Sequence, residues 1–135
     1  MGLSLQFRFL TFSLLLSIAV LNGCVEPAAE EVERVTSPDK TVDAVLVLKK
    51  VGATVSTPFE VYIVPRGGKP EGEPSMRADK VEEIKLIWKE PKFLEIHYLK
   101  GRIFLFTNFW LSSEVQNFTY IVELRLKPQN NGPSL

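Results

Sequence analysis

The stretch EEIKLIWKEPKFLEIHYLK, residues 82 to 100, decides the fold class of this chain. Apolar residues occupy every second position before Pro91 and again after it, and most positions between them are charged or polar. The apolar set is Ile84, Leu86, Trp88, Leu94, Ile96 and Tyr98. A period of two with one apolar face is typical of strands that cover a core on one side only. Because Pro91 cannot donate to a strand ladder, it predicts a tight break between two antiparallel strands.

Four other stretches are rich in the β-branched and aromatic residues that favour strands. They are residues 41–50, 58–65, 102–110 and 118–128. The sequence LKGR places Lys100 and Gly101 where a two-residue hairpin requires a positive φ, so the three strands between residues 82 and 110 are predicted to form a meander. The chain is therefore predicted to be mainly β, with a single small antiparallel sheet domain of about six strands.

The amino terminus has the layout of an export signal, with Arg8 followed by an apolar centre of 12 residues, FLTFSLLLSIAV. This length fits a signal peptide and is short for a membrane span. The sequence LNGC follows at residues 21–24 and resembles the lipobox of bacterial lipoproteins. The resemblance implies that a diacylglycerol is attached to the sulfur of Cys24, that the signal is cleaved before it, and that the new amino group is acylated. The alternative is a buried thiol at the end of a transmembrane helix.

Cys24 is the only cysteine, so its lipidation would leave no thiol for a disulfide or a metal site. The following residue is Val25, not aspartate. By resemblance to the sorting rule of enterobacterial lipoproteins, this favours the outer membrane over the inner one. We therefore expect a protein of the bacterial cell envelope, anchored to the membrane through Cys24 and facing the periplasm.

The composition divides the chain into four parts. Residues 1–23 are the expected lipoprotein signal peptide, and residues 24–37, with four glutamates and no aromatic residue, are the lipidated cysteine and a solvated acidic tether. Residues 38–128 are the β-domain and residues 129–135 a flexible tail. Within the domain, residues 66–80 hold three glycines and two prolines and are expected to form a long mobile loop that ends in a short helical turn.

The segment from Ser37 to Pro65 carries four short patterns, SPDK, AVLVLKK, VGATVS and VYIVP. It resembles a group of small bacterial lipoproteins and exported domains of unknown function, which open with a Ser-Pro-Asp-Gly-Lys-like turn and continue with a similar strand, Gly-Ala-Thr step and strand. Here the glycine of the opening turn is missing, because Lys40 follows Asp39 directly. The resemblance implies a fold and a location and no known activity.

The sequence holds little that points to catalysis. The 16 basic residues balance the 16 acidic ones, so no basic face for nucleic acid is expected. Calcium-loop, nucleotide-loop and serine-hydrolase motifs are absent, so we expect no metal, no cofactor and no catalytic residue. His97 is the only histidine. It shares a strand face with Glu95, about 7 Å away, which is too far for direct contact unless both side chains lean together. It is therefore expected to be a sheet residue; the alternative is an acid, base or ligand.

Two stretches remain open to a binding role. GATVSTP, residues 52–58, could be a ligand loop using Thr54, Ser56 and Thr57, or a strand connection whose hydroxyls satisfy local amides. RIFLFTNFW, residues 102–110, is apolar on both faces, so it is either a core strand or an exposed partner surface.

The two function hypotheses belong to different classes. The first is a non-enzymatic, lipid-anchored β-domain that binds a protein or glycan at the cell envelope. The alternative is a small envelope enzyme or inhibitor that uses His97 or the 52–58 loop.

Overall fold

The computed structural model of the chain describes residues 28–52, 54 and 56–129. These residues form nine strands: β1 Ala29–Thr36, β2 Val42–Lys49, β3 Phe59–Pro65, β4 Met76–Glu82, β5 Lys85–Glu90, β6 Phe93–Tyr98, β7 Lys100–Phe106, β8 Phe109–Trp110 and β9 Val122–Pro128. One short 3-10 turn, Gln116–Phe118, lies between β8 and β9. The mainly β prediction is confirmed. The expected signal peptide, Cys24 and most of the expected tail lie outside the described residues.

The strands form two sheets. The five-stranded sheet has the order β1-β2-β3-β4-β7 with all neighbours antiparallel, and the four-stranded sheet has the order β5-β6-β9-β8. Within the second sheet β6 and β9 run parallel, with Phe93 beside Glu123. The expectation of a single antiparallel sheet of about six strands is therefore wrong in its details. A chain with this many one-sided strands covers each apolar face with the other sheet.

One core lies between the two sheets. Its buried side chains come from both of them: Val42, Ala44, Leu46, Val61, Ile63, Met76, Ala78, Leu86, Leu94, Ile96, Val115, Tyr120, Val122 and Leu124. Among the described residues, two side-chain hydrogen bonds join the five-stranded sheet or its loops to the four-stranded one. The Trp88 indole N–H donates to the Val35 carbonyl at 2.9 Å, and the Tyr120 hydroxyl lies 2.6 Å from an Asp39 carboxylate oxygen. The core and these bonds hold the sandwich together.

Strand β1 corrects the predicted tether. Residues 29–36 pair with β2, so the domain begins at Ala29 and not at residue 38. The acidic composition that suggested a tether suits an edge strand, because charged side chains on an edge discourage pairing with other chains. Val35 packs against the core, and Val32 is 51% exposed at a register shift in the strand.

Strand β4 corrects the expectation for residues 66–80. Met76 and Ala78 are buried in the core, while Arg77 and Asp79 between them form ion pairs on the outer face. The stretch that was expected to end as a helical turn is therefore a strand. Its period of two is carried by alanine, aspartate and lysine, which are weak strand formers, and this hides the pattern in the sequence.

The predicted meander is correct for β5 and β6 and wrong for β7. Neither Lys100 nor Gly101 has a positive φ, so no two-residue hairpin forms between them. Instead the Leu99 N–H donates to the Glu82 carbonyl at 2.9 Å, and the chain crosses there to pair β7 with β4. Residues 102–110 then divide between the two sheets, because Phe109 and Trp110 form β8.

The two ends of the sandwich are closed by different hydrogen bonds. At one end, here called the proximal end, the Lys50 N–H donates to the Ala28 carbonyl and the Gln129 N–H donates to the Tyr98 carbonyl. At the opposite, distal end, Tyr120 reaches both Asp39 and the Pro91 carbonyl. Among the described residues, no helix is long and apolar enough to cross a membrane.

Candidate functional site

Buried charge concentrates on the outer face of the five-stranded sheet. Three carboxylates there are at most 4% exposed: Asp43 on β2, Glu60 on β3 and Asp79 on β4. Each alternates with core residues of its own strand, so it points away from the core. A buried carboxylate is costly unless cations and hydrogen bonds compensate it, so the partners of each one determine what this face can do.

Asp43 is held by two donors. The Arg34 guanidinium and the Gly67 backbone N–H each lie 2.9 Å from one carboxylate oxygen, and Arg34 also contacts Glu31 at 2.7 Å. Burial by itself raises the pKa of Asp43, but the Gly67 N–H and Arg34 outweigh it and lower the pKa below its usual value. Gly67 can donate because it turns the chain after β3 with φ +74°, a conformation that suits glycine. Asp43 therefore anchors β1 and the turn after β3.

Glu60 has three partners. The Tyr62 hydroxyl lies at 2.6 Å, the Arg77 Nε at 2.8 Å and the Lys49 ammonium at 3.6 Å. Burial raises the pKa of Glu60, but the hydrogen bonds from Tyr62 and Arg77 lower it by more. This carboxylate stays ionised near neutral pH and joins three neighbouring strands.

Asp79 forms a bidentate ion pair with the guanidinium of Arg102. Arg102 places Nε at 2.9 Å from one oxygen and Nη2 at 2.6 Å from the other, and the Ser56 hydroxyl donates to the second oxygen. The hydrogen bonds from Arg102 and then Ser56 lower the pKa of Asp79 to about 2. A bidentate arginine–carboxylate pair with a third donor leaves this acid no role as a proton acceptor near neutral pH.

The contact between Ser56 and Asp79 bears on whether residues 52–58 form a ligand loop or a strand connection. Ser56 is bound to Asp79, so its hydroxyl serves a contact within the domain. Thr54 is exposed in a turn and Thr57 is half-buried, while two other residues of the loop lie outside the described part of the chain. The three hydroxyl residues are therefore in different situations, and the structure does not bring them together as one site.

An apolar group lies among these ion pairs on the same outer face. We call it the outer cluster: Val45, Val47, Tyr62 and Val64, none more than 5% exposed. Sequence reasoning missed it, although AVLVL in β2 is apolar at consecutive positions and so indicates burial on both faces. The cluster lowers the local dielectric around the three carboxylates, which strengthens their ion pairs.

His97 makes closer contacts than its strand spacing predicts. Its Nε2 lies 2.7 Å from a Glu95 oxygen and its Nδ1 3.2 Å from the Gln129 side-chain nitrogen. The two side chains lean together, so the expectation that about 7 Å keeps them apart is wrong. The hydrogen bond with His97 lowers the pKa of Glu95. On the neighbouring strand β5, Lys85 lies opposite His97.

The other neighbour of His97 was missed because β9 was not expected beside β6. Lys127 lies beside His97 in the parallel register, and its ammonium is 3.9 Å from Glu95. In the part of the chain that the structure describes, no three His, Cys, Asp or Glu side chains are grouped to hold a metal ion. Comparisons with protein-family models, with curated proteins and with solved structures found no match.

Proposed function

We propose that this chain is a lipid-anchored protein of the bacterial cell envelope whose β-sandwich binds a protein or glycan partner and catalyses no reaction. The observation that carries the proposal is LNGC directly after a 12-residue apolar run. The short distance in sequence between Cys24 and the sandwich supports the proposed anchor. Only four peptide links, at most about 14 Å of extended chain, join Cys24 to Ala28 at the proximal end. A lipid on Cys24 would therefore hold that end close to the bilayer, and Val25 after the cysteine favours the outer membrane.

The state of the buried acids favours binding over chemistry. Asp43, Glu60 and Asp79 all have a lowered pKa and all contact an arginine. A general acid or base needs a pKa near the working pH and a reacting group within reach, and these carboxylates are instead committed to ion pairs. Their role in this proposal is to stabilise the sheet.

One observation keeps the alternative of a small envelope enzyme or inhibitor as a second candidate. The 2.7 Å contact between His97 and Glu95 is the kind of pair that orients an imidazole for proton transfer. Against it, Gln129 and Lys127 complete the surroundings of this pair, and no second carboxylate joins His97 by a hydrogen bond or ion pair among the described residues. The pair therefore fits a structural contact on the outer face of the four-stranded sheet better than an active site.

The anchoring is tested by mass spectrometry of the protein extracted from membranes of its native host. The amino-terminal peptide should begin at Cys24, carry acyl mass, and contain nothing from residues 1–23. The matched control is Cys24→Ser, which should lose the acyl mass and leave the membrane fraction. An unmodified Cys24 still joined to the preceding peptide would contradict the proposal.

A further inference from the structure

The outer face of the four-stranded sheet is basic in its proximal half. The strand registers define two neighbouring rows of side chains there, and we call the two rows the basic corner: Lys85, His97 and Lys127 in the first, and Ile87, Glu95 and Arg125 in the second. Alternate residues of the same strands lie in the core, so both rows point outward. Without His97, three cations and one carboxylate give the basic corner a net charge of +2.

The charge on this face changes sign along the strands. In the third row Phe93 has Glu90 on one side and Glu123 on the other, so no cation stands in register there. Lys89 lies at the register shift before Glu90. Its charge acts on the second row, where it helps to lower the pKa of Glu95 after the hydrogen bond from His97 and the charge of Lys127. Positive charge is therefore concentrated toward the proximal end.

Two lysines of this region have no acidic partner. Lys85 and Lys89 are both exposed, and among the described residues neither forms an ion pair. Lys127 is 3.9 Å from Glu95, a carboxylate that His97 already contacts. Like charges on neighbouring strands repel each other, so grouping basic side chains here costs stability. An anion bound from outside the domain would offset that cost.

The outer face of the five-stranded sheet offers an anion no such site. Its ion pairs join four cations to four carboxylates: Arg34, Lys49, Arg77 and Arg102 to Glu31, Asp43, Glu60 and Asp79. The chain beside the basic corner, at the ends of β4 and β7, adds two residues of each sign: Lys80, Lys100, Glu82 and Glu83. An anionic surface would therefore meet the four-stranded sheet rather than the five-stranded one.

The basic corner lies close to the strand through which the chain enters the sandwich. Strand β1 packs across from β5, where the Trp88 indole N–H donates to the Val35 carbonyl at 2.9 Å. Packed sheets are about 10 Å apart, and the links from Cys24 to Ala28 reach about 14 Å. A lipid on Cys24 and the outer face of the four-stranded sheet can therefore touch the same bilayer. This reach limits how far the domain stands from the bilayer and does not decide which face turns toward it.

We propose that the basic corner decides the orientation, by binding the head groups of anionic phospholipids in the membrane that holds the anchor. This inference rests on the lipid anchor of the proposed function. Each basic residue at an anionic bilayer shifts a binding equilibrium about fivefold, so a net charge of +2 shifts it about 30-fold. Such a shift is too small to capture a glycan or protein from solution. It is enough to orient a domain that is already tethered beside the bilayer, because tethering supplies a high local concentration.

The test is lysine acetylation of the lipidated protein in vesicles, measured by mass spectrometry. Vesicles of phosphatidylcholine alone are compared with vesicles that contain equal parts of phosphatidylcholine and phosphatidylglycerol. In the anionic vesicles Lys85 and Lys89 should react about five times more slowly or less. Lys40 and Lys69, which are exposed in turns at the distal end, should react at the same rate in both. Salt at about 1 M should remove the difference, because it screens exposed charges within a few ångströms.

A pair of double variants tests whether the charge of the basic corner is the cause. Lys85→Gln with Lys127→Gln should return Lys89 in anionic vesicles to its rate in neutral ones. The matched control is Lys40→Gln with Lys69→Gln, which removes the same charge at the distal end and should leave Lys89 protected. An unchanged circular dichroism spectrum shows that each variant keeps the fold.

Three results would overturn the inference: equal rates in the two kinds of vesicle, equal slowing at all four lysines, or protection of Lys85 in intact cells and not in anionic vesicles. The last result would assign the basic corner to a glycan or a protein. The acyl mass on Cys24 is measured in the same digest. An acylated protein without protection contradicts this inference alone, while a protein without acyl mass contradicts the proposed function.

Discussion

The outer faces of the two sheets both carry acidic and basic side chains, yet they bury them to different depths. On the five-stranded sheet Asp79 has a side chain 3% exposed, against a partner arginine at 60%. On the four-stranded sheet the Glu95 side chain is 10% exposed, but the Glu123–Arg125 pair is exposed on both sides, at 60% and 53%. Asp79 is covered by Arg102 and Ser56, whereas the ion-pair partner of Glu123 is the exposed Arg125. The same residue types therefore form buried ion pairs on three strands of one sheet, while the Glu123–Arg125 pair of the other stays solvated.

The largest effect should come from removing β1, the edge strand of the five-stranded sheet. A chain that begins at residue 38 loses Val35 from the core and leaves the buried Asp43 without Arg34. We expect no cooperative unfolding transition for this chain. A chain that begins at residue 28 should give a β-type circular dichroism spectrum and one cooperative urea transition. Equal midpoints for the two chains would mean that β1 is dispensable.

The next effect separates the two faces directly. Arg77→Met should lower the free energy of unfolding by about 1–3 kcal/mol, because it leaves Glu60 buried with one charged donor fewer. Arg125→Met on the other sheet should cost less than about 1 kcal/mol, since its partner Glu123 is exposed. Urea denaturation at neutral pH measures both.

A second substitution tests whether the unpaired charge is the cause. Glu60→Gln in the Arg77→Met background should recover part of the loss, because a neutral amide is cheaper to bury than a carboxylate. Equal costs for Arg77→Met and Arg125→Met would remove the distinction between the two faces.

How far the sequence predicts this molecule depends on the strand. The alternation in β5 and β6 is clean, and both strands and their hairpin are predicted correctly. Strands β1 and β4 are not recognised from the sequence, because their charged residues suggest a solvated loop. In the structure these glutamate, arginine and aspartate side chains form ion pairs on a sheet face. Neither does local pattern show that β9 lies parallel to β6, since that pairing depends on the whole topology.

The candidate sites were predictable to a similar extent. Ser56 was identified as a residue that could act through its hydroxyl, but its partner Asp79 is 23 residues away in sequence and cannot be found from spacing. The contact between His97 and Glu95 depends on how two side chains lean, which the strand period does not specify. Phe109 lies in RIFLFTNFW, whose apolar pattern allows an exposed partner surface, and its side chain is 52% exposed.

A smaller effect is expected on the stability of the fold at acidic pH. The pKa of Asp79 is about 2 in the folded protein, below its usual 3.8, so the pair with Arg102 stabilises the fold fully above about pH 4. That contribution should be lost as the pH falls from about 4 toward 2. Asp79→Asn should flatten this part of the curve of unfolding midpoint against pH, and Ser56→Ala should flatten it less. An unchanged pH dependence in Asp79→Asn would contradict the assigned role of the pair.

The smallest effect is expected at His97. His97→Gln keeps a hydrogen-bonding group beside Glu95, so the free energy of unfolding should change by less than about 0.5 kcal/mol. In the native host the variant should behave as wild type in whatever envelope phenotype follows deletion of the whole gene. If it reproduced the deletion phenotype with normal protein level and fold, the enzyme alternative would replace the binding proposal.

The place of β9 has a consequence for the order of folding. It is the last of the described strands in sequence, yet it lies between β6 and β8 and supplies Val122 and Leu124 to the core. A chain that emerges from a ribosome or an export channel with its amino terminus first cannot complete the four-stranded sheet until this strand has appeared. Until then β6 and β8 lack the strand that lies between them, and the core lacks two of its buried side chains.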